Sequence, residues 1–262
     1  MAATVRNARV APTKHSLADS PPSHSASAQW LGYFRRNADQ LLEIPWERGA
    51  QVTADEAAAI RGSIQGFQLG ESSEGRHLIG CARRWAQMHG DPAYLDAIEL
   101  FIKEEQRHAR ELGRFMDLAD IPRVKKSWPD TVFRRLRHAA DLEVSISVLV
   151  TAEIVSKVYY PALRAATRSS VLRAICDQII HDETPHVQFQ AERLRLLRRQ
   201  CGPLALGLRH WLHRVLFWGT CWVVWYKHGR AMRAGGLQLG PYLRQCGGAL
   251  AEALSEMDPR RA

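Results

Sequence analysis

An all-α protein built on an antiparallel four-helix bundle is predicted by three features of this 262-residue sequence. Apolar residues recur every three or four positions through four long stretches. Short breakers rich in glycine or proline separate those stretches, and loops that short join antiparallel neighbours. Strand-type alternation is nowhere sustained. A hydrophobic fraction of 46% supplies enough apolar surface for a substantial core.

Residues 1–28 are rich in Ser, Pro and Ala and nearly free of large apolar side chains, which predicts a disordered extension. Arg6, Arg9 and Lys14 against the single acid Asp19 would also suit a transit peptide, but the tail is the better reading. Order is expected to begin near Trp30–Trp46, a short helix ended by Pro45. The first bundle helix then runs from about Ala54 to Met88 and stops at His89-Gly90-Asp91-Pro92. The second runs from Pro92 to Leu118, the third from Thr131 to Ala166, and the fourth from Ser169 to Arg199, ending at Cys201-Gly202-Pro203. The predicted organisation is an extension over 1–28, a bundle over 29–200 with core helices within 54–200, and a C-terminal helical extension over 201–262.

That last segment is unusually aromatic, with Trp211, Phe217, Trp218, Trp222, Trp225 and Tyr226. Its unbroken apolar run, Val215–Tyr226, is about 18 Å long as a helix, too short to span a bilayer. Packing on the bundle or at a subunit interface is the main expectation, a homodimer included. Peripheral membrane contact through 211–227 is the alternative, given the Trp and Arg content.

Lys and Arg number 36 against 27 Asp and Glu, a formal charge of +9. The cations are mostly Arg spread along helices, as in Arg193, Arg195, Arg198 and Arg199, which reads as a solvated face; no nucleic-acid-binding signature accompanies them, so no nucleic-acid partner is expected. Cys81, Cys176, Cys201, Cys221 and Cys246 are scattered singly, with no CxxC pair. Such usage suits a reducing compartment and a cytoplasmic location, not a disulfide framework or a zinc site.

The apolar stripes are interrupted midway by acids. Helix one reads Ile60, Ile64, Phe67, Glu71, Glu74, Leu78; helix two Ile98, Ile102, Glu105, His108, Leu112; helix three Ile146, Leu149, Glu153, Tyr160; helix four Ile175, Ile179, Glu183, His186, Leu194. Carboxylates in the middle of a core face are costly unless something neutralises them. A pair of divalent metal ions would do so, and Glu and His three residues apart on one helix face can reach one ion. Glu-x-x-His occurs at Glu105–His108, at Glu183–His186 and at Glu74–His77, so the motif alone decides little. Spacing is the stronger signal: Glu74 and Glu105 are 31 residues apart, Glu153 and Glu183 are 30 apart. Each pair brackets a helix turn almost symmetrically, which brings its carboxylates to one height.

This pattern, over residues 54–200, resembles the ferritin-like di-iron carboxylate family, which includes the ribonucleotide reductase small subunit, bacterial multicomponent monooxygenases, rubrerythrins and arylamine N-oxygenases. The resemblance implies a ferritin-like bundle holding two iron ions, or a manganese/iron pair, with Glu74, Glu105, His108, Glu153, Glu183 and His186 as ligands and Glu105 and Glu183 bridging. It also implies that Asp182 receives the outer N–H of His108, and Glu104 that of His186. Glu71 competes with Glu74: hairpin symmetry favours Glu74, while Glu71 could be a further ligand or a proton relay. His77 lies off the stripe, although some N-oxygenase relatives carry an extra His ligand. Tyr160, with Tyr159, could carry a radical or donate a proton, or be a plain core aromatic.

The expected activity is an oxygen-dependent oxidoreductase acting with dioxygen on a small-molecule substrate the sequence does not specify. No flavin or nicotinamide motif occurs, so a separate electron donor is expected. Iron handling or peroxide removal of the ferritin and rubrerythrin kind is the second reading. A helical scaffold with a structural metal is the third.

Overall fold

The computed structural model describes residues 22–72, 75–125 and 141–260. Those residues form eight α-helices and no strand: α1 (Pro22–Asp39), α2 (Ala54–Glu71), α3 (Arg76–His89), α4 (Pro92–Leu118), α5 (Leu142–Ala166), α6 (Ser170–Leu197), α7 (Pro203–Ala234) and α8 (Leu239–Glu256), with a 3₁₀ turn at Trp46–Arg48. The expected class, a helical bundle with extra C-terminal helices, is the one observed. Among the described residues no helix is long and apolar enough to cross a membrane.

Local chemistry starts each bundle helix. Thr53 caps α2 by accepting from the Glu56 N–H, Asp91 caps α4 ahead of Pro92, Asp141 caps α5 and Ser169 caps α6. Each side chain satisfies one of the amide groups a helix start leaves unpaired. The bundle is α2 with α3, α4, α5 and α6, and α5 packs most extensively on α6. α7 packs on α5 and α2, and α8 on α5 and α6. The core is continuous, from Ile60 and Ile64 on α2 through Phe101 and Leu112 on α4 to Ile146, Ile154, Ile175 and Ile179 on α5 and α6.

Three boundaries differ from the sequence reading. The expected first helix is two, because Gly75 between α2 and α3 has φ 64° and breaks the helical run. A Cβ at Gly75 would come within 2.5 Å of Ile102 Cδ1, so glycine also permits the close approach to α4. Helix α1 begins at Pro22, inside the stretch expected to be disordered, and ends at Asp39 instead of running to Pro45. It is held by packing along α4 and by Ser27, whose buried hydroxyl donates to Asp91 Oδ2 (2.6 Å) and accepts from Arg193 Nη2 (2.8 Å). The third bundle helix starts at Leu142; residues 131–140 of its expected span lie outside the described residues, as do residues 1–21. α6 stays helical across Pro185.

Candidate metal centre

Each long bundle helix carries acids on the face it buries. α4 contributes Glu104, Glu105 and His108, α5 Glu153, α6 Asp182, Glu183 and His186, and α2 ends on Glu71. The i, i+3 spacing sets Glu105 beside His108 and Glu183 beside His186 on one face each.

Two groups of side chains bring one potential ligand atom each to within 4.8 Å of one another: Glu105, Glu153, Glu183 and His186 in one, and Glu71, Glu105 and His108 in the other. Glu105 belongs to both. Its Oε1 lies 3.1 Å from His186 Nδ1 and 3.7 Å from His108 Nδ1. Two neighbouring clusters that share a carboxylate are the arrangement a pair of metal ions requires.

Of the residues named from the sequence, Glu105, His108, Glu153, Glu183 and His186 are brought together. Glu74 lies outside the described residues, and the α2 carboxylate that joins a cluster is Glu71. Glu183 belongs to one cluster only. His77 is on α3, with its Nε2 3.5 Å from Cys81 Sγ, and joins neither group. The Tyr160 hydroxyl donates to Glu71 Oε1 at 2.9 Å.

The outer faces of the two imidazoles are saturated. His108 Nε2 is 2.9 Å from Asp182 Oδ2, and His186 Nε2 is 2.9 Å from Glu104 Oε2. These two contacts cross between α4 and α6. A carboxylate can only accept, so each Nε2 carries a proton, and in the neutral ring that a metal requires each Nδ1 has its lone pair towards the centre. There the inventory is unbalanced. His108 Nδ1, His186 Nδ1, Glu105 Oε1 and both Glu183 oxygens are buried without a hydrogen bond of acceptable geometry. Several unsatisfied acceptors converging on one point constitute a fault in a protein core, and bound cations remove it.

The protonation balance carries the same signature. Burial, then repulsion from Glu105, pushes the Glu71 carboxyl well above the usual carboxylate range. Burial and the Glu153 charge do the same to Glu183, and also raise Glu105. Burial alone would raise Glu153, but the close approach of Glu183 and His186 brings it below its ordinary value. Burial disfavours charge on His186, yet Glu104, Glu105 and Glu153 raise its pKa well above normal. Without a cation the cluster holds protons in the metals' place. Four carboxylates, Glu71, Glu105, Glu153 and Glu183, would carry the four negative charges that two divalent ions neutralise. The donor set therefore fits a metal pair, with carboxylate and imidazole ligands of the kind that suit iron and manganese.

Sequence reasoning missed the scaffold behind the ligands. Asn37, on α1, donates its amide to both Glu104 Oε1 (2.8 Å) and Asp182 Oδ1 (2.9 Å) and so ties the two outer acids together. Gln178 donates to both Asp182 oxygens at 3.1 and 3.0 Å, and the Arg107 guanidinium pairs with Asp182. Burial would raise Asp182, but His108, Asn37 and Arg107 hold it far below the normal range, as an anion. Gln190 donates to Glu153 Oε1 at 3.1 Å. Asn37 sends no signal in the sequence, since a lone Asn on a short helix reads as surface.

Fold and donors together define a ferritin-like helical protein with carboxylate–histidine clusters able to hold a dinuclear metal site. No family model matches the sequence, and no curated protein does. Two solved structures share the fold, both variants of an R2-like ligand-binding oxidase with an anaerobically reconstituted Mn/Fe cofactor. Their TM-scores are 0.59 and 0.56, at 13% and 14% sequence identity, each match covering 88% of this chain and 92% of the other.

Proposed function

We propose that the protein is a di-metal oxidoreductase that activates dioxygen, with two iron ions or a manganese/iron pair held by Glu71, Glu105, His108, Glu153, Glu183 and His186. The observation that carries this reading is the shared carboxylate, Glu105, between two clusters whose imidazoles are backed by crossed acids on the opposite helix. Redox-active ions held by these residues would supply electrons to dioxygen.

The chain's own residues do the remainder. Asp182 and Glu104 hold the His108 and His186 rings in one tautomer and make them more basic. Glu71, joined to the Tyr160 hydroxyl, is placed to hold or pass a proton at its Oε1. A small pocket lies beside these residues: Phe101 packs edge-to-face on His186, Gln190 donates to Glu153, and Leu78, Tyr94, Ile98, Ile146, Leu149, Phe189 and Arg193 line the rest of it. Electrons would come from a separate donor. The Mn/Fe cofactor of the two fold relatives supports the metal chemistry proposed here.

Metal analysis of protein produced with iron and manganese tests the proposal, alongside Glu105→Ala and His186→Ala. About two ions per chain are expected in the wild type, falling in both variants, with oxygen consumption under reductant only in the loaded protein. Zinc alone, or less than about half an ion per chain in the wild type, would overturn it.

A further inference from the structure

Among the described residues, the exposed face of α7 is a large apolar surface that the candidate metal centre does not use. Leu208, Trp211, Val215, Trp218, Trp222 and Tyr226 follow one another at steps of three or four, which sets them along one side of the helix. All six are exposed, from 37% at Trp218 to 82% at Tyr226. The opposite side is fixed to the body of the protein: Phe217, Thr220, Cys221 and Met232 are buried, Thr151 Oγ1 meets His213 Nε2 at 3.1 Å, and the Tyr242 hydroxyl donates to the Cys221 carbonyl at 3.1 Å. The stripe is therefore a rigid feature of the surface, and it runs for about 27 Å at 1.5 Å per residue.

Charge identifies what covers it. Residues 203–234 contain no Asp or Glu. Arg214, Lys227, Arg230 and Arg233 are exposed along the helix, Arg214 within the stripe's length and the other three just past its end. A second copy laid on this face would bring two cationic helices together in either orientation, with no acid in either helix to compensate. Residues 1–21 offer no better cover, with Arg6, Arg9 and Lys14 against Asp19. An anionic bilayer satisfies both halves of the surface. Trp and Tyr rings settle at the level of the lipid headgroups, the aliphatic side chains enter the acyl boundary, and the cations meet lipid phosphates. We infer that α7 docks the protein flat on an anionic phospholipid membrane.

The test is flotation of the full-length protein, produced with iron and manganese, with vesicles of neutral phosphatidylcholine and with vesicles containing about one third anionic phosphatidylglycerol. Binding is expected to the anionic vesicles only, weakening at least tenfold between low and high salt because exposed charges are screened. A double variant, Trp211→Ala with Trp222→Ala, is expected to keep its helical circular dichroism and lose at least tenfold in partition. Equal binding of wild type and variant, or none by the wild type at low salt, overturns the inference. So does a dimer in lipid-free solution that the same variant converts to monomer, because the face would then belong to a second copy.

Discussion

His186 is gripped from both sides by consecutive residues of α4: its Nε2 lies 2.9 Å from Glu104 Oε2, and its Nδ1 lies 3.1 Å from Glu105 Oε1. Neighbours on a helix point about 100° apart, so Glu104 reaches behind the ring and Glu105 turns to the centre. One ring is thereby both anchored and aimed.

Glu104→Gln should therefore leave the fold intact and weaken metal binding by roughly 10- to 100-fold, the usual effect of losing an acid behind a ligand histidine. The amide can still fill the space and face Asn37, but it no longer makes the ring more basic. Chelator competition measures the change. Unaltered affinity would remove Glu104 from the metal-binding apparatus.

Metal removal should change the pH response of stability. The raised pKa values of Glu71 and Glu183 mean that the metal-free fold binds their protons more tightly than the unfolded chain does. Their contribution is thus present in acid, below the unfolded carboxylate pKa, and is lost as pH rises through the folded values. Metal binding requires the deprotonated groups, so the loaded protein gains where the metal-free one loses. The Tm gap between loaded and metal-free protein should widen as pH goes from 5.5 to 7.5, and metal addition should release protons. At free metal a thousandfold over Kd the loaded form is ahead by about 4 kcal/mol. A gap that narrows with rising pH contradicts this.

Two histidines away from the centre, His213 buried and His228 half-buried, make an opposite contribution. Burial, first, lowers both His213 and His228 from 6.5 to about 4, with Arg198 and Lys227 respectively adding to the effect. The unfolded chain then binds more protons between those values, so this stability is complete above about pH 6.5 and declines as pH falls towards 4. His228→Gln should flatten that decline by about 1–3 kcal/mol, since each pKa unit is worth about 1.4 kcal/mol. Urea unfolding at pH 7 and pH 4.5 gives the comparison, and equal slopes for variant and wild type would refute it.

Gly75→Ala should destabilise by about 2–4 kcal/mol, combining a left-handed backbone with collision against Ile102. It should also loosen the end of α2, which carries Glu71, and weaken metal retention. Ile102→Val in the same chain should recover part of the collision and none of the backbone strain. Thermal unfolding and metal content separate the two contributions.

The helical class was legible because a 3.6-residue apolar period survives any neighbours, and so were Glu105, His108, Glu183 and His186, since an i, i+3 pair shares a face in every α-helix. The choice on the first helix was not. Hairpin symmetry favoured Glu74, which lies outside the described residues; that symmetry assumed one unbroken helix from 54 to 88, whereas α2 ends on Glu71 ahead of the break at Gly75, and the Glu71 carboxylate joins a cluster. Periodicity contains nothing that announces a left-handed glycine pressed on Ile102. The start of α1 was placed too late in the sequence reading for a related reason: Ser27 is polar, and its burial depends on Asp91 and Arg193, which stand far along the chain.

What the sequence alone determined, then, is the helical class and the faces on which acids interrupt the apolar stripes, because backbone geometry maps spacing onto faces without reference to the rest of the molecule. What only the tertiary structure decided is which acids meet. Glu105 becomes common to two clusters, Glu71 joins one of them, and Asn37 ties Glu104 to Asp182, because contacts between helices depend on where each helix breaks and how closely it packs.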